Sequence, residues 1–200
     1  MAKLLWKPTE EQIKESNMYR FMTFINETYH QNFTEFGPLY DWSIENIADF
    51  WTAFWDFADI IHSKPYDEVI DDVAKMPGAK WFSGAKLNFA ENLLRYRDDQ
   101  VALIFKGEDQ PSIRMTYAQL YGEVARLAKS LKELGIQPGD RVVGFMPNMP
   151  ESIIAMLAAT SIGAIWSSCS PDFGASGVLD RLGQVAPKVL FTVDSYCYND

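Results

Sequence analysis

RVVGFMPNMPESIIAMLAATSIGAIWSSCSPDF, residues 141–173, reads as a strand, a helix, a second strand and then a polar loop. Arg141 to Met146 is a short, nearly unbroken apolar run, the pattern of a strand buried on both faces of a parallel sheet. Pro147 and Asn148 interrupt it. Pro150 suits the first turn of a helix, where its missing N–H would have no partner in any case, and Glu151 complements the positive end of that helix. Ile153, Ile154, Leu157 and Ile162 supply apolar bulk, while Ala155, Ala158, Ala159 and Gly163 are small enough to let the helix lie close to a sheet. Ala164 to Ser167 reads as the second strand, and two parallel strands joined by a helix make a right-handed βαβ unit. Open α/β sheets bind ligands beyond the carboxyl ends of their strands, so the polar residues 167–173 are the expected site.

The flanking sequence extends the same pattern. Downstream, Ser176 is expected to start a helix with Val178, Leu179, Leu182 and Val185 inward, Pro187 to stop it, and Lys188 to Val193 to form another strand. Upstream, Val101–Phe105 and Ile113–Met115 flank the turn-rich Gly107-Glu108-Asp109-Gln110-Pro111 as a hairpin. Thr116 and Gln119 have capping-box spacing, and Leu120, Val124, Leu127, Leu131 and Leu134 follow at helical steps until Gly135. Gln137 to Asp140 is a turn into the first strand. Asn88 with Glu91 marks one more helix start, with Phe89, Leu93 and Tyr96 on a shared face. The reading is α/β: residues 86–200 form the first half of a doubly wound, mostly parallel sheet. Asp200 falls just past a strand, so the chain is expected to be a piece of a larger protein.

Residues 1–85 are different material, expected to form a separate helical domain. Four of the six tryptophans fall before residue 60, which points to aromatic helices packed on something larger. Thr9 and Gln12 form a second capping box, and Met18, Phe21, Met22, Ile25 and Tyr29 then share one helical face. Ser43 is expected to cap a helix bearing Ile47, Phe50, Trp51, Phe54 and Phe57; such a stripe reads as core. His30 and His62 read as surface or helix-end residues, and Lys64 to Asp72 as a solvated linker or exposed helix face.

Composition narrows the function. A net charge of −9 argues against nucleic acid or an anionic membrane as the main partner. No stretch reaches membrane-span length, and the N-terminal residues lack the apolar core of a signal peptide. Cys169 and Cys197 show neither metal nor disulfide spacing, so a reducing, cytoplasmic setting is expected. No histidine lies after His62 to serve a nucleophilic triad, and neither GxxxxGK[ST] nor a post-strand GxGxxG is present. Gly174 and Gly177 read as turn residues at a helix start.

The run from Met115 to Phe173 resembles the start of the AMP-binding domain of acyl-CoA synthetases in the adenylate-forming superfamily. Three stretches carry the resemblance: TYAQL after a hairpin, GIQPGDRV before a strand, and MPNMPESIIAMLAATSIGAI after it. Acetyl- and propionyl-CoA synthetases typically have a histidine where this chain has Trp166 and a glycine pair where it has Pro171-Asp172. WFSGAKLNFAENLL and SSCSPDFG instead resemble the acetoacetate-activating branch, and residues 1–85 the N-terminal domain that the two branches share.

Several expectations follow from the resemblance alone. Acetoacetate and ATP, with Mg²⁺, would form an acyl-adenylate and pyrophosphate; CoA would then displace AMP. The phosphate loop, the adenine and ribose contacts and the catalytic lysine are expected after Asp200, so no catalytic residue is assigned here and residues 1–200 alone are expected to be inactive. Ser170, Pro171 and Asp172 are expected against the nucleotide end of CoA. Relatives carry an arginine near the position of Tyr198, and its absence here weakens the expected phosphate contact. A ligase for another short acid and a non-catalytic binding module are the alternatives. Oligomeric state is not legible.

Overall fold

The computed structural model describes residues 4–108 and 111–196. The chain divides into two compact units, Met1–Lys86 and Leu87–Asp200.

Met1–Lys86 is helical with one small hairpin. The elements are α1 (Glu10–Glu15), α2 (Asn17–Tyr29), α3 (Phe36–Glu45), α4 (Ile47–Phe57), β1 (Glu68–Ile70) and β2 (Trp81–Ser83). The Thr9 box forms as expected: Gln12 N donates to Thr9 Oγ1 at 3.2 Å, and Thr9 N to Gln12 Oε1 at 2.8 Å. The helix it starts is short, because Ser16 turns out to ψ 148° and its hydroxyl caps α2 by accepting from Tyr19 N. The expected Ser43 cap is corrected. Ser43 lies inside α3 and its hydroxyl donates to Tyr40 O at 2.7 Å; Asn46 separates α3 from α4.

Rings fill this unit. Phe21 meets Phe50, Phe54 and Phe57 at centroid distances of 5.9, 6.0 and 5.0 Å, edge to face, around the fully buried Ile25. The expected linker is also corrected, since Glu68–Ile70 pairs antiparallel with Trp81–Ser83. Phe82 and Tyr66 lie against buried Trp55 at 4.8 and 5.2 Å, which docks the hairpin on α4. Asp71 accepts from Lys75 Nζ and Lys80 N, and these bonds bring its carboxyl down to about 2. His30 ends α2 in the left-handed conformation, at φ 55°.

Leu87–Asp200 begins with α5 (Phe89–Leu93), capped by Asn88, whose side-chain amide also donates to Thr160 O at 2.9 Å. Next come the antiparallel pair β3 (Val101–Phe105) and β4 (Ile113–Thr116), and α6 (Tyr117–Glu133) with both bonds of the Thr116 box in place. Leu134, expected inward, is the helix cap and 70% exposed. The chain reverses at Gly135, φ 81°, and Ile136 is buried instead.

The sheet is β5 (Arg141–Phe145), β6 (Ile165–Cys169) and β7 (Val189–Thr192), all parallel, in the order β6-β5-β7. α7 (Pro150–Ser161) crosses from β5 to β6, with Ala155, Ala158 and Ala159 fully buried. Its core includes α6, Val142, Trp166 and Phe191. α8 (Ala175–Leu182) and a single 3₁₀ turn, Gly183–Val185, lead back to β7. The two crossovers step in opposite directions along the sheet, so right-handedness puts α7 and α8 on opposite faces. Two details differ from expectation. α8 starts after Gly174, leaving Ser176 inside its first turn, and Leu179 points outward at 71% exposure while Leu182 is buried.

At the amino ends of the strands, nearly buried Asp140 accepts from Gln137 N and Lys188 Nζ, each at 2.8 Å. The Lys188 bond first, then the Gln137 bond, holds its carboxyl below the ordinary range. Arg141 donates to Val185 O and Ala186 O, fastening the turn before β7. Among the described residues no helix is long and apolar enough to cross a membrane.

Candidate functional site

The loops after β5 and β6 leave the sheet toward opposite faces, and this divergence opens a crevice between their carboxyl ends. A cleft of about 380 Å³ occupies it, lined by Met146, Pro147 and Asn148 from one loop and Ser170 and Pro171 from the other. Ser152, Ile153 and Met156 of α7 form one wall, and Gly144, Trp166, Ser168 and Cys169 form the floor. β6 runs two residues further than its sequence suggests: Ser168 and Cys169 pair with Gly144 and Phe145 through backbone bonds that do not depend on side-chain polarity. The loop itself therefore starts at Ser170.

Gly144 belongs to the floor for a steric reason. A Cβ there would stand 2.7 Å from Trp166 Cζ2, so the indole occupies space that only glycine leaves open. Phe191 lies 6.2 Å from the indole, centroid to centroid, on the opposite side of β5.

The loop is internally fastened. Ser170 Oγ donates to Asp172 Oδ2 at 2.7 Å and accepts from Asp172 N at 3.3 Å. Tyr196 Oη donates to Asp172 Oδ1 at 3.5 Å, tying the loop to the segment after β7. Asp172 is thus engaged by two hydroxyls. A second cleft, about 340 Å³, lies beyond Pro171 and is lined by Phe145, Thr192, Val193, Asp194, Ser195 and Tyr196. Pro171 lines both clefts.

Of the sequence-expected residues, Ser170, Pro171 and Asp172 come together as one turn, and Tyr198 lies outside the described residues. Sequence reading missed Gly144 and Tyr196. The first carries a signal only in the register that puts it opposite Ser168, and the second is brought in by tertiary structure. Among the described residues, no three or more His, Cys, Asp or Glu side chains are grouped as a metal would need.

Comparison with known proteins places this geometry. The family described as AMP-binding enzyme matches residues 89–200, and that described as acetyl-coenzyme A synthetase N-terminus matches residues 37–93. The acetoacetyl-coenzyme A synthetase of Rhizobium meliloti (strain 1021) is 46% identical over 195 residues, which cover 98% of this chain and 30% of that protein. A malonamoyl-CoA synthetase of Penicillium aethiopicum is 39% identical over 98% of this chain and 28% of its own length. The solved structure of acetoacetyl-CoA synthetase from Streptomyces lividans superposes with a TM-score of 0.89 at 42% identity, covering 98% of this chain and 31% of that one. The chain therefore spans about 30% of the length of the curated relatives it matches. With more than half of its residues matched by that family, this chain belongs to the AMP-binding enzymes.

Proposed function

We propose that this chain works as part of an AMP-forming acetoacetate–CoA ligase. The observation that carries the reading is 46% identity to an acetoacetyl-coenzyme A synthetase along 98% of the chain. In such a reaction a carboxylate oxygen of acetoacetate attacks the α-phosphorus of ATP, the bond to pyrophosphate breaks, and an acyl-adenylate forms. The CoA thiol then adds to the acyl carbonyl, gives up its proton, and AMP departs with the bonding pair. Mg²⁺ belongs to the first step in this reading, and the setting is cytoplasmic.

Within that scheme the residues described here serve CoA. Ser170, Pro171 and Asp172 form a turn at the carboxyl end of β6, flanked by two clefts, one bearing the Asn148 amide and the Ser152 and Ser168 hydroxyls and one bearing the Thr192, Ser195 and Tyr196 hydroxyls. The nucleotide end of CoA lies against this turn. Pro171→Trp in the full-length ligase tests it, because an indole there would fill space on both sides. The KM for CoA should rise at least tenfold, as expected when a buried contact worth about 1–3 kcal/mol is lost. Acetoacetate-dependent ATP–pyrophosphate exchange, which needs no CoA, separates this from damage to adenylation. If exchange and thioester formation fall together in a stably folded variant, the loop does not belong to CoA. Residues 1–200 expressed alone should form no AMP from ATP, acetoacetate and CoA.

The Penicillium relative supports a second reading, a ligase for another short acid bearing a carbonyl two carbons from the carboxylate. Acetoacetate carries a methyl group on that carbonyl where malonamate carries an amine, so the two acids are close in size. Comparing kcat/KM for acetoacetate, malonamate and acetate decides between them. Acetoacetate should lead acetate by at least roughly 10-fold, because it carries an acetyl group that acetate lacks and a single methylene in a fitted pocket is already worth about 10- to 200-fold. A preference for malonamate would establish the second reading.

A further inference from the structure

We infer that Arg181 binds the 3′-phosphomonoester at the nucleotide end of CoA; this rests on assigning the Ser170–Phe173 turn to CoA. Arg181 sits on α8, and its side chain reaches back along the helix until the guanidinium lies 3.8 Å from the centroid of the Phe173 ring. Phe173 closes the turn, its N–H directed at Ser170 O at 3.4 Å. Nη1 of Arg181 donates to Gly177 O at 3.0 Å. One ring face and one carbonyl thus hold the group in place while leaving other N–H donors unused.

Charge makes the placement informative. In a chain with 27 acidic against 18 basic residues, Arg181 forms no ion pair among the described residues. The nearby carboxylate of Asp172 is taken by the hydroxyls of Ser170 and Tyr196. The other cations bonded near this sheet, Arg141 and Lys188, are engaged at the opposite ends of the strands. Arg181 is therefore a cation tied to the turn through Phe173 that has no ion-pair partner among the described residues. A guanidinium fork of this kind matches phosphate oxygens.

The choice among the phosphates of CoA follows from topology. The diphosphate leads into the arm that must carry the thiol to the reacting carbonyl. The 3′-phosphate branches off at the nucleotide, stays at the surface, and presents a dianion to an exposed arginine.

The experiment uses the full-length ligase and two thiol substrates, CoA and 3′-dephospho-CoA. Arg181→Gln should raise the KM for CoA about tenfold, the usual worth of a charge-assisted hydrogen bond, and leave the KM for dephospho-CoA unchanged. Arg181→Lys, which keeps the charge without the fork, should fall between. A role confined to clamping Phe173 would raise both KM values equally, and that result overturns the assignment. So does no change in either. Pro171→Trp measured alongside keeps the failures apart. If it raises both KM values while Arg181→Gln moves neither, the turn binds CoA and only Arg181 is wrong. If neither variant matters, the assignment of the turn falls as well.

Discussion

In Met1–Lys86 the core is made of rings, and in Leu87–Asp200 it is made of methyl groups. In the first unit Phe21, Trp42 and Trp55 interlock edge to face with Phe50, Tyr29 and Tyr66. In the second unit Ala155, Ala158 and Ala159 lie flush between α6 and the sheet beside Leu131, Leu157 and Val142. The reason is geometric. Short helices crossing without a sheet leave wide gaps, which large flat side chains fill. A helix seated on a parallel sheet must come close, and alanine permits the approach. The difference shows why one unit has its crevice at strand ends and the other has its clefts between helices.

The largest effect should come from the ring core. Phe21→Ala removes three edge-to-face partners at once and should destabilise by about 3–5 kcal/mol. Urea unfolding should reveal it in the fluorescence of Trp42 and Trp55. Trp166, the one tryptophan after residue 86, reports on the other unit. Equal loss in both signals would mean that the two cores are not energetically separate.

A methyl group added in the second unit probes the opposite limit. Gly144→Ala forces the Trp166 ring to move and should cost about 1–3 kcal/mol, with a shifted Trp166 emission maximum. An unchanged spectrum and stability would show slack where the packing is tight.

The same capping motif in both units sharpens the contrast further. Thr116→Ala should cost about 1 kcal/mol because α6 is anchored by Leu120, Val124 and Leu131. Thr9→Ala should cost only a few tenths, since α1 has no buried residue and can fray without disturbing a core. Paired urea midpoints check this, and equal losses would contradict it.

Acid should produce the mildest difference. Asp71 and Asp140 both have lowered folded-state pKa values, so the unfolded chain binds their protons more readily. The stability each adds is complete above the ordinary carboxylate value and is lost as pH falls through the folded one. For Asp71 that window runs from the ordinary 3.8 down to about 2. Asp71→Asn and Asp140→Asn should each flatten part of the acid limb of the midpoint-against-pH curve. A wild-type limb retained in both variants would show that other carboxylates set it.

How much of this was legible depended on what carried each signal. The βαβ unit was plain because a buried strand and an alanine-lined helix both write themselves into side-chain choice, and the expected arrangement of helices and parallel strands is the one observed. Both Thr boxes were readable because a cap is a local bond. Ser43 misled because a serine inside a helix satisfies itself on a carbonyl one turn back, a bond that spacing cannot distinguish from a cap. Glu68–Ile70 was hidden by its length of three residues, too short for alternation to register. Leu134 and Leu179 fit a helical stripe, yet where a helix ends and how wide a face its neighbour covers are tertiary facts. For the site, SSCSPDF identified the turn, while the pairing of Gly144 with Trp166 needed the register.

The placement of β5 between β6 and β7 also matters at the bench. Each outer strand keeps one ladder edge without a strand partner among the described residues, and Ile165 and Leu190 stand 52% exposed on them. Open edges with apolar side chains recruit strands from neighbouring molecules. The 200-residue polypeptide handled by itself should therefore self-associate as its concentration rises, and dilute, cold, low-salt preparation suits it better than concentration for storage.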